Sequence, residues 1–253
     1  MTGTLTVVGV GPGRSELMTP AAADAIAHAT DLIGYGPYLD RIAASPAGQV
    51  RHATGNRVEL DRARHALELA MSGRRVAVVS GGDPGVFAMA AAIFEAVEAG
   101  PPAWRQLDIR VEPGITAMLA AAAEVGAPLG GDFCAISLSD NLKSWGTITR
   151  RLEAAAAGDF VIALYNPLSK ARPHQLTEAF AILRRTKPPA TIVVMVRAAG
   201  SGEARRIITT LGEVDATQAD MRTLVLIGSS STRLIVRDGL QPWVYTLRRE
   251  EGP

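Results

Sequence analysis

The chain has 253 residues, 47% hydrophobic and 20% charged, the balance of a globular protein long enough for two domains or one large one. Its formal net charge of +1 provides no global field that would favour nucleic acid or an acidic membrane surface. A single cysteine, Cys134, excludes an intrachain disulfide, and no Cys/His cluster has zinc spacing, so no metal site is expected. Cys134 lies in an apolar run and reads as a buried structural thiol.

Strand-like and helical patterns alternate along most of the chain. Thr4-Leu5-Thr6-Val7-Val8 is a strand that runs into Gly9-Val10-Gly11-Pro12-Gly13. No charged region followed by an apolar one precedes it, so no signal peptide is expected, and the protein reads as cytoplasmic. Thr19 can cap a helix with Pro20 in its first position, running to about Ala29. Residues 31–34 read as a short strand. Apolar spacing at Leu60, Ala63, Leu67 and Ala70, with Gly73 as a stop signal, predicts a helix over 57–72. A strand at 75–80, a helix at 86–98, a strand at 107–111 and a helix at 115–125 complete an N-terminal α/β domain, 1–125.

Gly126-Ala127-Pro128-Leu129-Gly130-Gly131-Asp132 reads as a linker, 126–132, to a C-terminal α/β domain, 133–253. There the pattern gives a strand at 133–138, a helix at 144–156, a strand at 160–164, a helix at 173–185 and strands at 191–196, 206–211 and 223–227. Residues 243–247 read as an edge strand. The fold class is α/β, with two domains built on mainly parallel or mixed sheets.

Four strand-like runs end in Gly/Pro loops: Gly9-Val10-Gly11-Pro12-Gly13, Gly81-Gly82-Asp83-Pro84-Gly85, Glu112-Pro113-Gly114-Ile115-Thr116 and Tyr165-Asn166-Pro167. Ligands of open α/β sheets bind beyond the carboxyl ends of the strands, so these loops are expected to share one sheet edge. Glycine lets the backbone approach a ligand and proline fixes the turn, which suits a pocket built from main chain. A dinucleotide fingerprint is not met: Arg14 stands where the third glycine should be, and no acidic residue ends the second strand. A G-x-x-x-x-G-K-[ST] phosphate loop is absent as well. Asp83 can accept hydrogen bonds from a ribose or an amine, or serve only as a helix cap.

In this order and spacing, G-V-G-P-G, S-G-G-D-P-G-V-F, E-P-G-I-T-A and L-Y-N-P resemble the tetrapyrrole methylases, the class III S-adenosylmethionine-dependent methyltransferases. The resemblance covers nearly the whole chain. Two further segments, Ile33-Gly34-Tyr35-Gly36-Pro37-Tyr38-Leu39-Asp40 and Leu138-Ser139-Asp140-Asn141-Leu142-Lys143-Ser144-Trp145, resemble the branch that methylates C17 of precorrin-3B in cobalamin biosynthesis. The resemblance implies two α/β domains with the cofactor cleft between them, and a homodimer. It implies S-adenosyl-L-methionine as cofactor, S-adenosyl-L-homocysteine as product, and a tetrapyrrole substrate with several carboxylates. It also implies that Pro12, Gly81, Asp83, Val86, Thr116, Ala117, Asn166 and Ala199 line the cofactor site. The run Arg197-Ala198-Ala199-Gly200 departs from relatives that have a glycine there, and Gly55-Asn56-Arg57 stands where Gly-Met is expected.

Methyl transfer asks mainly for alignment of nucleophile and methyl group, which fits the lack of a Ser/His/Asp or Cys/His constellation. The ring contraction that accompanies C17 methylation in that branch, giving precorrin-4, does need proton movement. Asp140, Lys143, Tyr35 and Glu112 are its candidates, each of which could equally serve as a surface or capping residue. The basic residues, 3 Lys against 23 Arg, include Arg41, Arg51, Arg172 and Arg197 as possible partners of substrate carboxylates, unless they are merely solvated. Competing readings are the cobalt-loaded substrate, methylation at another ring carbon, a nucleotide-dependent oxidoreductase and a non-enzymatic tetrapyrrole carrier.

Overall fold

A computed structural model describes residues 2–43, 48–55 and 58–249. Of the positions singled out above, Asn56 and Arg57 lie outside the described residues. The chain divides into two compact units, Met1–Ala117 and Met118–Pro253.

The N-terminal unit comprises β1 (Thr4–Gly9), α1 (Pro20–His28), β2 (Asp31–Tyr35), α2 (Gly36–Leu39), β3 (Val50–Thr54), α3 (Glu59–Met71), β4 (Arg75–Ser80), α4 (Met89–Ala99) and β5 (Asp108–Glu112). Its sheet has the order β3-β2-β4-β1-β5, and every neighbouring pair is parallel. All five carboxyl ends therefore lie on one edge. The inner strands β1, β2 and β4 are buried on both faces, as the middle of a parallel sheet covered on both sides requires, while the edge strands β3 and β5 are polar and largely exposed. Val7, Ile33, Val76 and Val78 pack with Ala63, Leu67 and Ile93 of α3 and α4. Val8, Leu32, Ala77 and Val79 pack with Ala22 and Ile26 of α1. Full burial of a side chain such as Leu67 or Ile93 stabilises by roughly 1.5–3 kcal/mol. At the start of α1, Thr19 Oγ1 accepts from Ala22 N–H at 3.2 Å, as the Thr-Pro pair predicts.

The second unit holds α5 (Ala117–Val125, whose first residue lies at the division), β6 (Gly126–Ala127), β7 (Phe133–Ser137), α6 (Trp145–Ala157), β8 (Val161–Tyr165), α7 (Gln175–Leu183), β9 (Ile192–Arg197), β10 (Arg205–Thr210), β11 (Thr223–Ile227), β12 (Thr232–Ile235) and β13 (Trp243–Thr246). The larger sheet, β10-β9-β11-β8-β7, is mixed: β7 and β8 are parallel and the other pairs antiparallel. Two antiparallel steps through β11 leave β9 parallel to β8, so β7, β8 and β9 end on one edge. Ile148 and Leu152 of α6 and Leu176 and Phe180 of α7 pack on Ile136, Ile162, Leu164, Val193 and Val225.

Several boundaries differ from the sequence reading. The units divide at Ala117/Met118 rather than at 125, because α5 is tied to the second unit. Met118 N–H donates to Tyr165 Oη at 3.1 Å, and Glu124 pairs with Arg206. The expected linker contains β6, which pairs in parallel with β13. As a result β13 is the middle strand of a small sheet, β12-β13-β6, and not an edge strand. Helix α4 begins at Met89 rather than at 86, since Phe87 has φ +53° and breaks the helical path.

Candidate functional site

The four Gly/Pro loops do not share one sheet edge. Three follow β1, β4 and β5 of the N-terminal sheet, and the fourth follows β8 of the other sheet. Sequence spacing alone does not reveal which sheet a strand joins.

The three N-terminal loops are joined mainly through main chain. Gly82 N–H donates to Gly11 O at 2.9 Å and Gly11 N–H donates to Gly82 O at 3.2 Å. Both glycines have positive φ, +70° at Gly11 and +67° at Gly82, which few side chains tolerate. A Cβ added to Gly9 would lie 2.7 Å from Gly82 O and from Gly114 N, and one on Gly114 would lie 2.2 Å from Gly82 O. Glycine at these positions is what allows the three backbones to touch. Asp83 adds a side-chain clamp: Oδ1 accepts from Gly85 N–H at 2.8 Å, and Oδ2 accepts from Gly114 N–H at 3.0 Å. It does not cap α4, whose N-cap is Ala88.

Around this junction Pro12, Gly81, Val86 and Ala117 are half-buried and Thr116 is buried. Glu112 ends β5 and Tyr35 ends β2, both half-buried on the same sheet edge. Tyr38 was not among the sequence candidates. Its ring stands edge-on to Tyr35, 5.4 Å between centroids, and the Arg41 guanidinium lies 5.3 Å from its centre. A Cβ on Gly81 would come within 2.6 Å of Tyr38 Cζ, so the ring rests directly on the loop after β4. The signal for Tyr38 was present in the segment Gly34-Tyr35-Gly36-Pro37-Tyr38, but its contact with Gly81 is long-range.

In the second unit, Asn166 follows β8 with φ +52°. Its Nδ2 donates to Ser137 Oγ at 3.0 Å, and Ser139 N–H donates to the same oxygen at 3.3 Å. Ala199 is buried in the loop after β9, beside Ala198, which has φ +52°. Glu124 holds this loop: Oε1 accepts from Gly200 N–H at 3.2 Å, while Oε2 accepts from Arg206 Nε at 2.8 Å. Sequence reasoning missed Glu124, which lies 76 positions from the glycine it holds. Asp140 and Lys143 follow β7. Asp140 Oδ2 accepts from Gln175 Nε2 at 3.2 Å. Burial, and then the charge of Arg151, pushes the Lys143 ammonium below its ordinary pKa.

The sequence candidates thus fall into two groups. Pro12, Gly81, Asp83, Val86, Thr116, Ala117, Tyr35 and Glu112 follow strands of the parallel sheet. Asn166, Ala199, Asp140 and Lys143 follow the parallel-running strands of the mixed one. Among the described residues, no three His, Cys, Asp or Glu side chains are grouped to hold a metal ion. Helix α1 starts only at Pro20, well past the first glycine loop, so no helix N-terminus there faces a dinucleotide pyrophosphate.

Residues 4–215 match the family model described as Tetrapyrrole (Corrin/Porphyrin) Methylases. A precorrin-3B C(17)-methyltransferase of Sinorhizobium sp is 58% identical over 252 residues, covering 100% of this chain and 99% of that protein. The cobalamin biosynthesis protein CobIJ of Mycobacterium bovis is 47% identical over 98% of this chain, which spans 49% of that longer protein. The crystal structure of the methyltransferase CobJ superposes with a TM-score of 0.92 at 54% identity, covering 97% of this chain and all of that one. The chain therefore belongs to the tetrapyrrole methylases, a family of S-adenosylmethionine-dependent enzymes.

Proposed function

We propose that this protein is the methyltransferase of cobalamin biosynthesis that methylates C17 of precorrin-3B and contracts the ring to precorrin-4. The observation that carries the reading is the 58% identity, over the full length of both chains, to a precorrin-3B C(17)-methyltransferase.

The chain's residues fit the cofactor. When bound, S-adenosylmethionine supplies a methyl group on a cationic sulfonium. The loop segments 9–13, 81–88 and 112–117 contain no Lys or Arg and two carboxylates, Asp83 and Glu112, so a cation meets no like charge from them. Pro12, Gly81, Asp83, Val86, Thr116, Ala117, Asn166 and Ala199 hold the cofactor in this reading, largely through main chain. Their part is to fix position, since alignment of nucleophile and methyl accounts for most of what such a transfer needs. Asp140, Lys143, Tyr35 and Glu112 are the groups available to move protons during ring contraction. Burial, and then the charge of Arg151, lowers the Lys143 pKa, which is the direction a proton-transfer role asks for.

The same reading carries a cytoplasmic homodimer whose partners are small molecules rather than nucleic acid or membrane. Among the described residues no helix is long and apolar enough to cross a membrane, and sedimentation velocity reads the oligomer directly. The activity test is anaerobic incubation with S-adenosylmethionine and precorrin-3B, followed by mass and absorbance. Gain of one methyl group supports the reading and no gain contradicts it. A parallel incubation with the cobalt-loaded substrate separates the metal-free from the cobalt-dependent reaction.

A further inference from the structure

Just past β8 the chain makes a tight turn. Ser169 N–H donates to Arg172 O at 3.2 Å and Arg172 N–H donates to Ser169 O at 3.0 Å. The two residues are antiparallel bridge partners, and directly opposed partners present their side chains to the same side. Ser169 is only 6% exposed. Its Oγ and the Nε of Arg172 are both buried and have no hydrogen-bond partner among the described residues. Buried donors left unmade are costly and uncommon, and two on adjoining side chains of one turn call for a physical explanation. Simple solvation of Arg172 is not that explanation, because its Nε is shielded from solvent.

The chemistry of the pair is specific. A hydroxyl and a guanidinium N–H are both donors, and the guanidinium is a permanent cation. Together they match a carboxylate, which accepts through two oxygens and forms stronger bonds to a charged donor. Arg172 is also tethered to the candidate site: its Nη1 donates to Asn166 O at 3.3 Å.

We propose that Ser169 and Arg172 form a carboxylate-binding subsite in the loop after β8. A rotation of the Arg172 side chain about its Asn166 tether turns Nε outward, and the ligand carboxylate takes up both orphaned donors. Given the proposed function, on which the identity of the ligand rests, the carboxylate belongs either to a side chain of the tetrapyrrole or to the amino-acid end of the methyl donor.

Ser169→Ala and Arg172→Gln test this against wild type, with Arg172→Lys to keep the charge without the fork. Three readouts are needed: thermal unfolding, calorimetry with S-adenosylhomocysteine, and anaerobic absorbance titration with precorrin-3B. In Ser169→Ala and Arg172→Gln one of the two affinities is expected to fall by about tenfold or more, with partial recovery in Arg172→Lys. A fall for precorrin-3B identifies a ring acid, and a fall for S-adenosylhomocysteine identifies the donor's carboxylate. The unfolding temperature of Ser169→Ala should stay at the wild-type value. If wild type binds and all three variants match it within about twofold for both ligands, the subsite is overturned. Wild type that binds neither ligand breaks the proposed function instead. Sodium acetate is then the probe: stabilisation of wild type but not of Arg172→Gln keeps the subsite, and equal shifts end it.

Discussion

The two units hold their candidate loops by different means. In the N-terminal unit the loops after β1, β4 and β5 meet backbone to backbone, and Gly9, Gly11, Gly82 and Gly114 are the residues that permit it. In the second unit the corresponding positions carry side chains in the left-handed region, Asn166 and Ala198, both with φ +52°. There the loops are fastened from outside: Ser137 holds Asn166, and Glu124 holds Gly200. Glycine avoids the left-handed cost but loses more entropy on folding, whereas a clamped side chain carries strain that its partners must outweigh. Substitutions at these positions should therefore cost far more in the N-terminal unit than in the second.

The largest effect is expected at the glycine junction. Gly114→Ala places a Cβ 2.2 Å from Gly82 O, a backbone clash that should destabilise by about 3 kcal/mol. A melt followed by circular dichroism should show a fall of roughly 6–12 °C for a chain of this size. An unchanged melting temperature would mean that the loops do not touch.

The next test asks whether the N-terminal unit relies on main chain away from the loops as well. Asp31, at the start of β2, is buried and accepts from Arg74 Nε at 2.7 Å, His52 Nε2 at 3.0 Å and Thr30 Oγ1 at 2.7 Å. Burial alone would raise its pKa; the hydrogen bonds from Arg74, His52 and Thr30 outweigh it and hold the carboxyl at about 2, below the ordinary 3.8. A depressed folded-state pKa means a contribution that is complete above about pH 4 and lost as pH falls through about 2. That contribution is about 2 kcal/mol. Urea titrations of wild type and Asp31→Asn should differ at pH 7 and converge towards pH 2. A constant gap across that range would remove Asp31 from the account.

Asp83→Ala comes next. It removes the acceptors of Gly85 and Gly114 N–H, at a cost of about 1–2 kcal/mol. The strand framework should survive, while S-adenosylhomocysteine affinity measured by calorimetry falls about tenfold, which corresponds to about 1.4 kcal/mol. Asp83→Asn keeps an acceptor and should fall between the two. The smallest effect is expected for Asn166→Gly, which exchanges relief of the left-handed conformation for loss of the Ser137 hydrogen bond and should stay within about 1 kcal/mol of wild type. A loss as large as that of Gly114→Ala would show that the contrast between the units is not real.

Much of this was legible in the chain because the cues are local. Strands β4 and β11 were placed to the residue, and Thr19-Pro20 marked the start of α1 through its own capping chemistry. The loops were legible as loops, since glycine and proline punctuate the chain wherever it turns. What was not legible depends on partners far away. The two-residue strand β6 exists only because β13 pairs with it more than a hundred positions later. Strand β13 therefore read as an edge. Likewise nothing near Glu124 announces a role, because Gly200 becomes its neighbour only through the fold, and the contact of Tyr38 with Gly81 is equally long-range.

The most direct measurement is the carbon position of the transferred methyl group. S-adenosylmethionine labelled with ¹³C in its methyl is incubated anaerobically with precorrin-3B and the purified protein, and the product is examined by NMR. A single enriched signal at C17 of a ring-contracted macrocycle is the predicted result. Label at another ring carbon, or an unlabelled macrocycle beside intact protein, would contradict the account.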